Sequence, residues 1–294
     1  MKFLSACALV LVITFISFPI SGIAQQKRIP EPNQTPKLVR TTMRHEQRRF
    51  AYGGTLTLVG APDGSVTIEA WPASQIDISA EIQLRGDSEA DLDLLGLVNT
   101  FVLDEDANHL RILTTGTHDK AFMRSVAKKF PKTLLGLPWK IDYRIRVPIS
   151  TDLEINAGRG PISIAGVEGS IRLSAAESET KLNLSGGTFI GTVATGKVNL
   201  TVPSKSWRGV GADIRVAIGE VTIELPPGFS GDIDAEILRT GQIVDSYGGL
   251  APRETFGLTP QRMKARAGSG GAAIRLTVGD GTINIKKQSA DSKR

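Results

Sequence analysis

Among its 294 residues the chain has one cysteine, Cys7, and three histidines, His45, His109 and His118. Cys7 lies in an N-terminal segment that reads as a secretory signal peptide. Lys2 gives a positive start, Ala8 to Phe18 an apolar stretch, and Gly22-Ile23-Ala24 a small-x-small cleavage site. Cleavage after residue 24 leaves a mature chain with no disulfide, no thiol nucleophile and no thiolate metal site. The alternative is an uncleaved anchor, since Phe3 to Ala24 nearly reaches spanning length, but Pro19 and Gly22 favour cleavage. Leu4-Ser5-Ala6-Cys7 imitates a lipoprotein acylation site, yet here the apolar stretch follows the cysteine instead of preceding it. No later hydrophobic run approaches spanning length. The histidines show no His-x-x-x-His spacing, which removes one common zinc signature. Aromatics make up 5% of the chain, and the basic segments interleave only Phe122, Phe130, Trp139 and Tyr143, so no nucleic-acid surface is expected.

Charge is divided unevenly. Segment 27–49 holds seven basic residues against Glu31 and Glu46, segment 118–146 eight against Asp119 and Asp142, and segment 286–294 four against Asp291. The rest of the mature chain is acidic, with 15 basic against 25 acidic residues. Residues 25–49, with Pro30, Pro32 and Pro36, read as a basic, disordered tether suited to anionic envelope surfaces and peripheral membrane contact. Residues 288–294 read as a disordered tail.

What is abundant is a phrase, Gly-x-h-x-h with h aliphatic. It occurs as Gly64-Ser-Val-Thr-Ile68, Gly160-Pro-Ile-Ser-Ile164, Gly169-Ser-Ile-Arg-Leu173, Gly196-Lys-Val-Asn-Leu200, Gly219-Glu-Val-Thr-Ile223 and Gly281-Thr-Ile-Asn-Ile285. A glycine turn followed by strict alternation predicts a short strand entered from a tight bend. From Gly160 the phrases recur at steps too short for a helix and suited to one strand plus one turn. Further strands are expected at Thr55–Val59, Ser65–Ala70, Ile76–Leu84 and His109–Leu113, and a short helix or a strand over Asp91–Phe101. A helical insertion at about 119–131 would present Phe122, Val126 and Phe130 on one face. A long loop at about 245–271 is expected to be mobile or functional. The fold class is all-β, a β-solenoid or parallel β-helix-like stack over residues 50–287, with a β-sandwich as the alternative.

The order of these phrases resembles a bacterial family of domains of unknown function labelled "putative adhesin". The carrying residues are Gly64 to Trp71, Val147-Pro148, Gly270-Gly271-Ala272-Ala273-Ile274-Arg275-Leu276 and Gly281 to Ile285, and the likeness spans about residues 52–287. It implies a solenoid-like strand stack exported to the envelope and brings no catalytic residues. The 120–130 and 245–271 segments depart from the compact family pattern.

Candidate chemistry is sparse. Asp104-Glu105-Asp106 could chelate a hard cation such as calcium or form a solvated turn. Asp232, Asp234 and Glu236 share one strand face and invite comparison with polysaccharide-acting β-helix enzymes, which need partnered carboxylates. Gly158-Arg159-Gly160 and Gly268 to Gly271 lack the strand-to-helix context of a phosphate cradle. No cofactor and no metal are expected. The phrases leave their second and fourth positions free for contact, and the candidate face comprises Ser65, Thr67, Ser163, Arg172, Asn199, Thr222 and Asn284. The expected function is a non-catalytic, exported envelope scaffold or interaction domain with anionic polymers or glycans as partners. The alternatives are a polysaccharide-acting β-helix enzyme and an accessory domain of envelope stress signalling.

Overall fold

A computed structural model of the chain describes residues 38–60, 62–126, 130–254 and 258–288. The signal-peptide segment and residues 25–37 lie outside these. The described residues form seventeen strands in one sheet that does not close on itself. They include two α-helices, α1 (Glu89–Val98) and α2 (Lys120–Val126), and none is long and apolar enough to cross a membrane.

Five long strands dominate: β10 (Ser170–Asn183), β11 (Gly186–Thr201), β12 (Arg208–Leu225), β13 (Gly231–Ser246) and β17 (Ala273–Lys287). They pair parallel, β10 beside β11, β11 beside β12, β12 beside β17, and β17 beside β13. On its other side β10 pairs with β8 (Asp152–Arg159) and β9 (Ile162–Ala165), which act as two halves of one rung. These in turn pair with β2 (Thr55–Val59) and β3 (Val66–Trp71). Beyond them lie β6 (His109–Thr115) beside β2 and β7 (Trp139–Pro148) beside β3.

Gly64, Gly160 and Gly169 precede β3, β9 and β10, as expected of a strand entered from a bend, whereas the other three phrase glycines mark something different. Gly196, Gly219 and Gly281 lie inside continuous strands, with φ of +137°, +146° and +146°. They are register partners, Gly196 beside Gly219 and Gly219 beside Gly281. A Cβ on Gly219 would stand 1.8 Å from the Gly196 carbonyl oxygen, and one on Gly281 would stand 1.7 Å from that of Gly219. Gly241 of β13 continues the column beside Gly281, while β10 carries Ser178 there, and the hydrogen-bonded ladder runs through the column uninterrupted. Two exposed residues in succession at the bend, Ala176 and Glu177 in β10, reset the alternation so that aliphatics of both half-rungs point inward. Ile171, Leu173 and Leu182 of β10 and Val221, Ile223 and Leu225 of β12 join one continuous core. Full burial of each large aliphatic contributes ~1.5–3 kcal/mol. The phrase at Gly169 belongs to the first half-rung and lies outside the bend column.

Three expectations need correction. Residues 38–49, expected within the tether, form β1 (Leu38–Arg49), antiparallel to β4 (Gln75–Gly86) along its whole length. β1 has no fully buried side chain, so apolar alternation was absent even though its backbone groups are paired. Arg40 instead reaches Glu89 (2.5 Å) and Asp93 (2.7 Å), and the Arg44 guanidinium lies 4.0 Å from the Phe101 ring centroid. The expected 245–271 loop contains β14 (Leu250–Pro252), β15 (Leu258–Thr259) and β16 (Arg262–Ala267), with β16 antiparallel to β13, β14 and β15. Tyr247 anchors its start, its hydroxyl donating to Pro226 O (3.1 Å) and accepting from Phe229 N–H (3.0 Å). In the tail, Gln288 is fixed by donating to Val202 O (2.8 Å) and Glu224 O (3.1 Å), and residues 289–294 lie outside the described ones.

The helical insertion is present as α2 and a 3-10 turn at Lys132–Leu134. Met123 is the buried residue of α2, whereas Phe122 and Phe130 are half-buried; the Val126 side chain and residues 127–129 lie outside the description. The Asp91–Phe101 segment resolves into α1 followed by β5 (Thr100–Asp106), with the Ser88 hydroxyl accepting from Asp91 N–H to cap the helix.

Candidate functional site

In-register pairing of bent rungs turns the outward positions of the phrase into columns. Thr67, Ser163, Lys181, Asn199, Thr222 and Asn284 are successive register partners across β3, β9, β10, β11, β12 and β17. On one side runs Glu179, Lys197, Glu220 and Thr282, and on the other Asn183, Thr201, Glu224 and Lys286. All of these except Thr67, Asn284 and Thr282 line a groove of about 500 Å³. It adjoins a second of about 570 Å³ that crosses the bend at Gly160 and Gly196, and Glu179 and Lys197 line both.

The groove is internally wired. Asn284 Nδ2 donates to Glu220 Oε1 (2.6 Å), Thr222 Oγ1 donates to the same oxygen (3.3 Å), and Lys197 Nζ stands 3.7 Å from Glu220 Oε2. Lys181 Nζ lies 3.3 Å from Glu179 Oε1. Both lysine side chains remain 65% exposed, so these pairs hold little energy and leave the ammonium groups open to a ligand.

The structure brings five of the seven expected contact residues into one column: Thr67, Ser163, Asn199, Thr222 and Asn284. Thr222 is buried, however, and supports its neighbours more than it offers a surface. Ser65 is occupied, since both its N–H and its hydroxyl donate to Asp142 Oδ1 at 2.7 Å. Arg172 lies on the other half-rung, beside Glu154 at 3.7 Å. Glu179, Lys181 and Lys286 also line the groove and lie outside the second and fourth positions of the glycine-led phrases, whereas Lys197 is the second position of the Gly196 phrase. Lys181 and Glu179 follow Ser178, which replaces glycine in the bend column; the same alternation continues there, and counting from Thr180 finds them.

The remaining candidates are built for structure. Asp104 and Asp106 are held by Arg111 at 3.0 and 3.1 Å, and Glu105 lies 3.7 Å from Arg48, so the acidic run is neutralised by arginines. No group of three or more histidine, cysteine, aspartate or glutamate residues among the described ones is placed to hold a metal ion. His109 sits in a chain that resembles a catalytic relay but runs the wrong way. Arg111 Nη2, which can only donate, meets His109 Nδ1 at 3.0 Å; Nε2–H therefore points at Thr57 Oγ1 (2.7 Å), whose proton goes to Glu154 Oε2 (3.2 Å). In that arrangement His109 donates to Thr57 and does not activate it. His118 packs against Trp139, with ring centroids 5.3 Å apart, and burial pushes its pKa down against the opposing pull of Asp119.

Asp232 and Asp234 do not form an outward acid pair. Asp232 accepts from Arg266 Nε (2.9 Å) and Arg253 Nη1 (3.2 Å), and the Arg266 hydrogen bond is the main cause holding its carboxyl below the usual range. Asp234 pairs with Arg253. Asp77 is the most deeply held carboxylate. Burial works to raise its pKa, but hydrogen bonds from Arg146 (2.9 and 2.5 Å), His45 and Gln47 (3.1 Å) outweigh it and bring it to about 2. Every described carboxyl with a displaced pKa is displaced downward: Glu46, Asp77, Asp106, Asp119, Asp142, Asp232, Glu254 and Asp280.

No protein-family model matches this sequence, and no curated protein matches it. Among solved structures, a "putative cell adhesion protein" from Clostridium sporogenes is 15% identical with a TM-score of 0.41, covering 84% of this chain and 100% of its own. A "putative adhesin" from Bacteroides fragilis is 11% identical with a TM-score of 0.34, covering 84% and 97% respectively. A "putative lipid binding protein" from Parabacteroides distasonis is 15% identical with a TM-score of 0.21, covering 83% and 96%. These likenesses are too distant to carry residue roles across.

Proposed function

We propose that the chain is an exported, non-catalytic contact protein of the cell envelope or surface, a solenoid-type stack of bent rungs whose outward polar columns meet a glycan. The observation that carries this reading is the ladder Thr67–Ser163–Lys181–Asn199–Thr222–Asn284 with its flanking charged columns. Neighbouring strands lie ~4.8 Å apart, so the ladder offers donors and acceptors at a fixed short repeat over ~20 Å. A repeating polymer can match such a row, whereas a small substrate needs a closed pocket with convergent groups. Lys181, Lys197 and Lys286 face Glu179, Glu220 and Glu224, so the groove is charge-balanced and suits a hydroxyl-rich polymer better than a strongly anionic one. Contact with anionic surfaces falls to the basic segment 25–37.

The test is retention of the mature chain, from Gln25, on isolated cell-wall sacculi and on a glycan array at low and high salt. The reading expects retention that survives high salt and falls about tenfold when Lys181, Lys197 and Asn199 are all changed to alanine. Equal retention of the triple variant, or none by the wild type, would remove its support. Retention lost with residues 25–37 and abolished by salt would assign contact to charge alone.

A further inference from the structure

Two sequence landmarks 77 residues apart, Trp71 and Pro148, become register partners at the ends of β3 and β7. They line a mouth of about 450 Å³ with Phe50, Tyr52, Pro72 and Ile149, on surfaces distinct from the polar columns. No charged residue lines it; Ser74 and Ser150 supply the hydroxyls.

The Trp71 side chain is held in place. Trp71 Nε1–H donates to Gln75 O at 2.8 Å, and the Arg146 guanidinium stacks 4.4 Å from the ring centroid. Arg146 is itself fixed by two hydrogen bonds to Asp77, at 2.9 and 2.5 Å. Phe50 lies over Gly54, where a Cβ would come within 2.8 Å of its ring. Tyr52 is 91% exposed at the tip of a tight turn closed by Gly54 N–H to Ala51 O (3.1 Å), with Gly53 at φ +70°. The braced indole meets a ligand with little further ordering cost, and the turn adds the exposed Tyr52 ring at the same mouth.

We infer that this mouth binds the ring of a neutral sugar unit, stacked on Trp71 and Tyr52 and hydrogen-bonded through Ser74 and Ser150. The inference rests on the glycan-contact reading and adds to it a second, aromatic subsite. The uncharged lining matches a neutral ligand. A proline-rich peptide is the competing occupant of an aromatic groove, and docking it calls for a donor to its carbonyl groups. The indole N–H is already spent on Gln75 O, which leaves the Ser74 and Ser150 hydroxyls as the donors at the mouth, and the peptide is distinguished by the experiment below. A pyranose needs an apolar face for its C–H groups and hydroxyl partners at its rim, and both are present.

The experiment titrates the mature chain with cellohexaose, chitohexaose, xylohexaose and mannohexaose, read by tryptophan fluorescence and calorimetry. Trp139 and Trp207 are buried at 9% and 5% exposure, so the fluorescence change reports mainly on Trp71. At least one saccharide is expected to bind and to lose about tenfold in affinity in Tyr52→Ala, whose exposed side chain leaves the fold intact. Ile149→Ser, also at the mouth, is expected to weaken binding as well and provides a second variant. Binding unchanged in Tyr52→Ala and Ile149→Ser, no binding of any saccharide, or binding of a polyproline decamer instead would overturn the inference. Sacculus retention sensitive to Lys181, Lys197 and Asn199 would persist in that event, so the two readings fail separately.

Discussion

Substituting Gly219 by alanine probes the bend column directly. Its φ of +146° lies in a region used almost only by glycine, which costs ~1–3 kcal/mol for any other residue. The new Cβ would start 1.8 Å from Gly196 O and must retreat to the 3.4 Å of ordinary contact, carrying β12 away from β11. Two ladder hydrogen bonds weakened beside the bend add ~1–3 kcal/mol. The sum, ~2–6 kcal/mol, is a large fraction of an ordinary domain's stability. Gly228 supplies the control: its φ is +73°, but nothing lies within 4 Å of its would-be Cβ. Gly228→Ala should therefore cost only the left-handed backbone term, ~1–2 kcal/mol. Urea unfolding followed by circular dichroism gives both values from the midpoints at constant slope. If Gly219→Ala costs no more than Gly228→Ala, the stacked column does not constrain the fold and the reasoning fails.

Ile223→Ala, at a fully buried core position of β12, should lose ~2–5 kcal/mol by the same assay, and a loss below ~1 kcal/mol would mean the two half-rungs do not share one tight core. Acid should weaken the protein through Asp77. Its folded pKa of about 2 lies below the ordinary 3.8, so its stabilisation is fully present above pH ~4 and disappears as pH falls toward 2. That is ~2 kcal/mol, and Asp77→Asn should flatten this part of the stability profile; an unchanged slope would contradict the assignment. The amides of β1 should exchange with deuterium ahead of those of β11 and β12, more so in ~1 M salt, because ion pairs and backbone hydrogen bonds hold it with no buried side chain. Equal protection at both salt concentrations would argue against attachment by charge.

The β character, most strands and the outward polar positions were legible because alternation and glycine are local signals. Thr55–Val59 and His109–Leu113 were marked by it directly. β1 escaped because Arg40, Arg44 and Arg48 occupy positions where a half-buried strand carries aliphatics. β16 escaped because its inward residues, Met263, Ala265 and Ala267, are mostly small, so the alternation carries little hydrophobic weight. The insertion of β17 between β12 and β13 could not be read, since every rung carries the same local pattern and nothing local ranks its neighbours. The polar column was partly legible: aligning the phrases on glycine finds Asn199 and Asn284, while Lys181 needs the alternation to be followed through Ser178. The aromatic mouth depends on the pairing of β3 with β7, a long-range property.

The most direct test of the contact reading is lysine footprinting of the mature chain with and without the glycan or sacculus fraction that retains it. Acetylation followed by peptide mass spectrometry should show Lys181, Lys197 and Lys286 protected together, with Lys205 and Lys264 unchanged. Protection confined to Lys27 and Lys37, or spread evenly over all lysines, would contradict the claim that the polar ladder is the binding surface.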